Sequence, residues 1–456
     1  MAIIKAGAEP LADLAAFLQP FAKLLHRVEN RRAFERYATG LLADVPRKTM
    51  AGMGRAVRGT NKQRLHEFLS RTHWDAWEMD RLRMGHMLKH ASAGAGVLVI
   101  DDTGLPKKGQ HSVGVARQYS GTLGRVDNCQ VVVTCHYVDQ VFDWPVMARV
   151  YLPEAWAEDR ARRDKAKVPE AIGFLTKGEI ALTLIDEARA AGVKPSAAVF
   201  DAGYGDQPAL LDGLETRALP YGAAVSCALR FRLAEAIQAD PGDPPPLPRR
   251  AKGRPSKKTG LETRVPALET QAILAALPAA AWQDIAWREG AKGALVKQFA
   301  RIRVHRTGQR GKHLESVGWL IGERPLPGHC GELKYYFAWG LDEVSLEELV
   351  KLVHLRWVIE RFYQDAKGEL GLDNYEGRSW HGLHRHIAMV MLAHSFLTLR
   401  QSYGPNVLDP SPSAPHRGFP PQGPGKPGRP QARGARRTVP PSHHALRQRS
   451  RRTKVT

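Results

Sequence analysis

Cysteine is scarce in this chain. Only Cys129, Cys135, Cys227 and Cys330 occur in 456 residues, and no two form a C-x-x-C pair. That argues against a disulfide frame or a zinc site and fits reduced thiols in a cytosolic protein. No run of about 18 apolar residues occurs, so no transmembrane helix is predicted. The N-terminus, "MAIIKAGAEPLADLAAF", has an early acid and not the layout of a signal peptide. No internal repeat is present. Acids are also in short supply: 46 Asp and Glu stand against 67 Lys and Arg, a formal net charge of +21. A basic excess of that size calls for a polyanionic partner, nucleic acid ahead of an anionic membrane, and for no small-molecule substrate.

The length suits two or three domains, and 43% hydrophobic residues suit a large core. Residues 1–95 read as an all-helical module. "LADLAAFLQPFAKLLHRV" and "KQRLHEFLSRTHWDAWEMDRLRMGHMLKHA" carry 3.6-residue apolar spacing, with Asn61 as N-cap of the second. A basic stretch between them makes this module a candidate for DNA binding, or else a helical cap on the core. From Gly96 the pattern is strand-like. "GVLVIDDT", "NCQVVVTCHYVDQ" and "FDWPVMARVYLP" form an expected antiparallel meander, followed by helix, strand, helix and strand through residue 239. This order predicts an α/β fold, a mixed sheet flanked by helices. Residues 240–345 read as a β-rich insertion opened by a basic, Pro-rich loop, and 346–402 as helical. After residue 403 the chain holds eleven Lys and Arg against one Asp, among many Pro and Gly, and disorder is expected there.

Three acids mark element ends. Asp102, or its neighbour Asp101, ends the first strand, Asp201 ends the fourth, and Glu360 lies on a late helix. In "LRWVIERFYQDAKGEL", residues 355–370, offsets of four, seven and eleven put Arg356, Glu360, Tyr363 and Lys367 on one helix face. A solvated face with favourable i, i+4 pairs is the plainer account of that helix. Strand-end acids of an open sheet converge at one rim, however, and like charges gathered there call for a cation. Oxygen ligands suit Mg²⁺, and two such ions support in-line displacement at a phosphodiester. Lys107, Lys108, Arg356 and Lys367 would then hold neighbouring phosphates.

These blocks resemble the DDE transposases of bacterial insertion sequences. "VIDDTGLPKKGQHSVGVARQYSGTLGRVDNCQ" (99–130) matches around the first acid and "VFDAGYG" around Asp201. Arg356, Glu360 and Lys367 keep the spacing of the family's Y-R-E-K signature. Val353 stands where its Tyr belongs, with Tyr363 on the same face as a substitute. The resemblance implies an RNase H-like core and Asp102, Asp201 and Glu360 as catalytic and metal-binding acids. It implies two Mg²⁺ ions, replaceable by Mn²⁺, and phosphate binding by Arg356, Lys367, Lys107, Lys108 and Tyr363. It further implies cleavage and strand transfer at terminal inverted repeats, with or without a hairpin intermediate. Double-stranded DNA as partner, a synaptic homodimer and a nucleoid-associated, cytoplasmic location follow from it too. Adjacent strand residues face opposite sides, so one of Asp101 and Asp102 should face the metals. The resemblance favours the residue directly before Thr103, leaving Asp101 a supporting or capping role. A nuclease without strand transfer and a DNA-binding protein that has lost catalysis are the rival readings.

Lesser signals are read more plainly. His381, His384 and His386 lack the partner spacing of a zinc site. The two Gly-Arg-Pro triplets, 253–255 and 428–430, read as basic linkers, with minor-groove contact as the alternative. Trp319 and Trp339 read as core residues, with stacking on a flipped base as the alternative that the family implies.

Overall fold

The structure is a computed structural model. It describes residues 6–7, 10–92, 94–120, 124–239, 265–290, 293–307 and 316–403. The basic Pro-rich loop, both Gly-Arg-Pro triplets and the tail lie outside the described residues. Five helices open the chain: α1 (Ala12–Leu18), α2 (Val28–Leu42), α3 (Met50–Ala56), α4 (Lys62–Ser70) and α5 (Ala76–Met87). Each of the two long helices expected from apolar spacing is interrupted by a local signal. Pro20 enters a 3-10 turn, Gln19–Leu24, straight after α1. Asp75 accepts hydrogen bonds from the Trp77 and Glu78 amides, so its carboxylate starts α5 where continuous apolar spacing suggested an unbroken helix. Asn61 caps α4 as expected, accepting from the Arg64 amide at 2.9 Å.

These helices share their hydrophobic core with the long C-terminal helix, Trp380–Tyr403. Polar ties cross the same seam. Tyr37 meets His386, and Arg385 donates to the carbonyls of Leu69 and Trp74. The fully buried Arg83 pairs with Asp80 at 2.7 Å and donates to the Val146 carbonyl. Unpaired, either charge would be costly at that depth.

The sheet is mixed. β1 (Gly96–Pro106) pairs antiparallel with β3 (Arg125–Val138) and parallel with β5 (Pro195–Phe200). β4 (Asp143–Val150) completes the expected meander on β3, and β2 (Ala116–Ser120) adds an edge that apolar spacing did not mark. Two short helices, α6 (Glu154–Glu158) and α7 (Arg160–Ala166), precede α8 (Lys177–Ala190), which leads into β5; α9 (Ala202–Gly205) and α10 (Pro208–Thr216) lead to β6 (Tyr221–Val225). The strands after β6 extend the same sheet: Lys334–Trp339 pairs with β6, and Val317–Arg324 and Gly293–Arg306 follow outward. The β-rich insertion is therefore continuous with the core sheet.

The helical region expected at 346–402 is broken into Leu346–Val353, a 3-10 turn His354–Arg356, Trp357–Gly368 and the C-terminal helix. Gly222 on β6 lets the first of these lie close, since a Cβ there would meet Val353 at 2.9 Å. The helix Trp357–Gly368 lies on a pad of Val97, Val99, Val138 and Val199 through Val358 and Ile359. Burying such branched side chains stabilises by roughly 1.5–3 kcal/mol each. That packing fixes Glu360 over the β1–β5 rim.

Candidate active site

β1 and β5 are parallel neighbours, so their C-terminal portions bring acids to one rim. Asp101, Asp102, Asp201, Arg356, Glu360, Tyr363 and Lys367 line a cleft of about 540 Å³ with Thr103, Tyr119 and Gln364. The helix face read from spacing thus opens onto one space with both strand-end positions. Strand alternation then separates the adjacent acids. Asp101 lies on the face covered by the Glu360 helix and Thr103 follows two residues later; Lys367 Nζ donates to Thr103 Oγ1 at 2.6 Å. Arg356 donates from Nη1 to Asp101 Oδ2 at 3.0 Å and from Nη2 to Glu360 Oε1 at 2.7 Å. Asp102 is held on the other side, where its Oδ2 accepts from Lys177 Nζ at 3.0 Å and Tyr204 Oη at 3.2 Å.

Asp201 follows β5 and caps α9, accepting from the Tyr204 amide. Burial, then the charge of Asp201, pushes the Asp101 carboxyl up to about 7, against the pull of Arg356. Burial likewise raises Asp201, opposed by Arg356 and reinforced by Asp102. Glu360 is more than half exposed, reaching into the cleft from the helix. Tyr363 Oη meets Thr134 Oγ1 at 2.5 Å, and burial drives its pKa up, so the phenol stays neutral. Burial lowers the Lys367 pKa, opposed by Asp373 and Asp101.

The acid-bearing helix is also braced from the insertion. Buried Glu323 accepts from Tyr336 Oη at 2.6 Å and meets His354 Nε2 at 3.2 Å, two residues before Arg356. Burial alone would raise the Glu323 carboxyl; hydrogen bonds from His354, Lys297 and Tyr336 outweigh it and hold it at about 2.

Other singled-out residues lie elsewhere. Lys107 is half-buried, donating to the Tyr375 carbonyl at 2.7 Å, and exposed Lys108 does not line the cleft. His384 accepts from the Val150 amide and His386 sits between Tyr37 and the Gly371 carbonyl, so both serve packing. Trp319 and Trp339 are half-buried, the first beneath the guanidinium groups of Arg301 and Arg303, the second stacked on Tyr221. Lys177 and Tyr204 were not singled out from the sequence. A faint signal existed for Lys177: a lysine in the first turn of a helix opposes the helix dipole and invites a reason.

Among the described residues no three His, Cys, Asp or Glu side chains close around a point that would hold a metal ion. The donor chemistry nevertheless suits one. The acids offer only oxygen, line one cleft, and already gather around a cation, the Arg356 guanidinium. Among the described residues no helix is long and apolar enough to cross a membrane.

Residues 20–294 match the family described as DDE superfamily endonuclease, and the chain belongs to that family. Its RNase H-like architecture accords with the mixed sheet and flanking helices. Members generally depend on divalent metals. The matched residues include Asp101, Asp102 and Asp201 and end before Glu360. The chain is also 32% identical over 190 residues to the "Probable transposase for insertion sequence element IS701" of Microchaete diplosiphon. That alignment covers 42% of this chain and 47% of the relative, so the chain spans about half of that relative's length.

Proposed function

We propose that the chain is a transposase that cuts DNA at the terminal inverted repeats of an insertion sequence and joins the freed 3′-hydroxyl to target DNA. The observation that carries this reading is the single cleft holding Asp101, Asp201 and Glu360 with Arg356 and Lys367. Family membership and the likeness to a named transposase support it. The geometry favours Asp101 over Asp102 as first acid, because Asp101 shares the face of Glu360 while Asp102 is engaged by Lys177 and Tyr204. Asp101, Asp201 and Glu360 would hold two Mg²⁺ ions, with Mn²⁺ as substitute. Bound there, the metal supplies Lewis acidity for activating the attacking oxygen and stabilising the leaving one. Lys367 and Lys177 present ammonium groups on either side of the acids to orient backbone phosphates, and Asp102 and Tyr204 position Lys177. Double-stranded DNA is the partner, and a homodimer would bring two element ends together.

The test is incubation of the full chain with labelled element ends and Mg²⁺ or Mn²⁺. Joined products support the reading. Cut products without joining would make it a nuclease, and a shifted band without cutting would make it a DNA-binding protein.

A further inference from the structure

Arg356 occupies the place among the acids where a cation is needed. Its planar fork spans two elements, with Nη1 on Asp101 of β1 and Nη2 on Glu360 of the helix. Asp201 adds its field to the same guanidinium. A guanidinium matches paired carboxylates bidentately in a way that an ammonium does not. The two contacted oxygens, Asp101 Oδ2 and Glu360 Oε1, are also donors that a divalent ion would need. Metal and guanidinium on the same oxygens would bring two cations close together, so each disfavours the other there.

We propose that Arg356 is a built-in counter-ion that competes with divalent metal for the acidic cleft. It holds the acids together before metal arrives and, once displaced, turns its guanidinium to a DNA phosphate. This rests on the metal-dependent reading of the cleft. The side chain suits both tasks. It is one-third exposed, so it opens onto the cleft, and it projects from the turn that begins the acid-bearing helix. Loading of the cleft is thereby coupled to the arrival of DNA, because phosphate competes for the same guanidinium that shields the acids.

The experiment is a titration of Mn²⁺ into the full chain without DNA, with bound metal read by electron paramagnetic resonance and the thermal midpoint read beside it. Arg356→Gln should bind Mn²⁺ on the order of tenfold more tightly than the parent chain, since an opposing charge has left the site. Without metal its thermal midpoint should fall, and Mn²⁺ should restore more of it than in the parent. Arg356→Lys, a point charge without the fork, should fall between. Equal or weaker Mn²⁺ binding by Arg356→Gln overturns the competition. If that variant does not fold, Arg356→Lys decides in the same way: tighter binding supports the proposal and unchanged binding overturns it. Asp101→Asn and Glu360→Gln separate the two readings. If they abolish Mn²⁺ binding while Arg356→Gln fails to strengthen it, only the competition falls. If they leave binding untouched, the metal reading of the cleft falls and the competition with it.

Discussion

Between Asp101 and Asp102 the chain crosses from one face of the sheet to the other, and their environments diverge accordingly. Asp101 is buried beside Arg356, while Asp102 is tied to Lys177 and Tyr204. Asp101→Asn, Asp201→Asn and Glu360→Gln should each abolish nicking and joining yet keep binding to element ends, because phosphate contacts away from the cleft position the DNA. Asp102→Asn should retain more, losing roughly 10–100-fold as a residue that acts through a neighbour. Matched gel assays at one salt and metal concentration check this, and full activity of Asp101→Asn would return the role to Asp102. The sequence marked both acids and the turn of one helix face, because periodicity is local information. Strand alternation alone did not decide between them, and the resemblance favoured Asp102, directly before Thr103; which way the strand is turned depends on what packs on each face, and that is not local information. Lys177 and Tyr204 were out of reach for a similar reason. Their link to Asp102 spans 75 and 102 residues and exists only once α8 and α9 pack beside β1.

Elements were legible where their signals were local. The Val-rich strands, the Asn61 cap and the 3.6-residue face of the acid-bearing helix could all be read directly. Strand pairing beyond β6 could not. The sequence marked a β-rich insertion after a Pro-rich loop but not where its strands pair, and Tyr335–Trp339 pairs with Tyr221–Val225 across more than a hundred residues. The helix that carries Glu360 depends on that arrangement and on its apolar pad. Ile359→Ala, at a fully buried position on that pad, should cost about 2–5 kcal/mol of stability. Denaturant unfolding measures the loss, and a cost under about 1 kcal/mol would mean that the pad does not hold the helix. Activity should fall further than stability alone explains at temperatures where the variant stays folded, because Glu360 rides on the same turn of helix.

At the scale of the whole molecule, charge governs association and buried histidines govern stability. The segment after Tyr403 carries ten of the chain's 21 net positive charges. Truncation there should flatten the salt dependence of DNA binding, since each phosphate that the tail no longer neutralises takes about 0.9 from the logarithmic slope, while cleavage at low salt persists. An unchanged slope would show that the tail does not touch DNA. Acid stability follows from the seam between the helices and the sheet. Burial lowers His86, His384 and His386 to about 4 and His394 to about 3, and drives His136 well below its ordinary 6.5. Each therefore takes up a proton on unfolding between pH 6.5 and its folded value, and the unfolded state binds more protons across that window. Stability contributed by these neutral rings is full above pH 6.5 and falls as pH drops toward 4, on the order of 1 kcal/mol per pH unit for each ring. Asp101 works the other way. Its carboxyl, raised to about 7, stabilises at low pH and loses that contribution as pH rises from about 4 to 7. Burial also raises Asp80, Asp143 and Asp201, which share that direction. The five rings should outweigh these carboxyls, because His86, His384, His386 and His394 are lowered to about 4 or below and burial holds His136 well below its ordinary value too. The thermal midpoint of metal-free protein should therefore fall between pH 6.5 and 4.5. Asp101→Asn should steepen the fall, since it removes an opposing proton. A midpoint that stayed level or rose on acidification would show that the buried rings are protonated in the folded chain, and would undo the neutral-ring account of the seam.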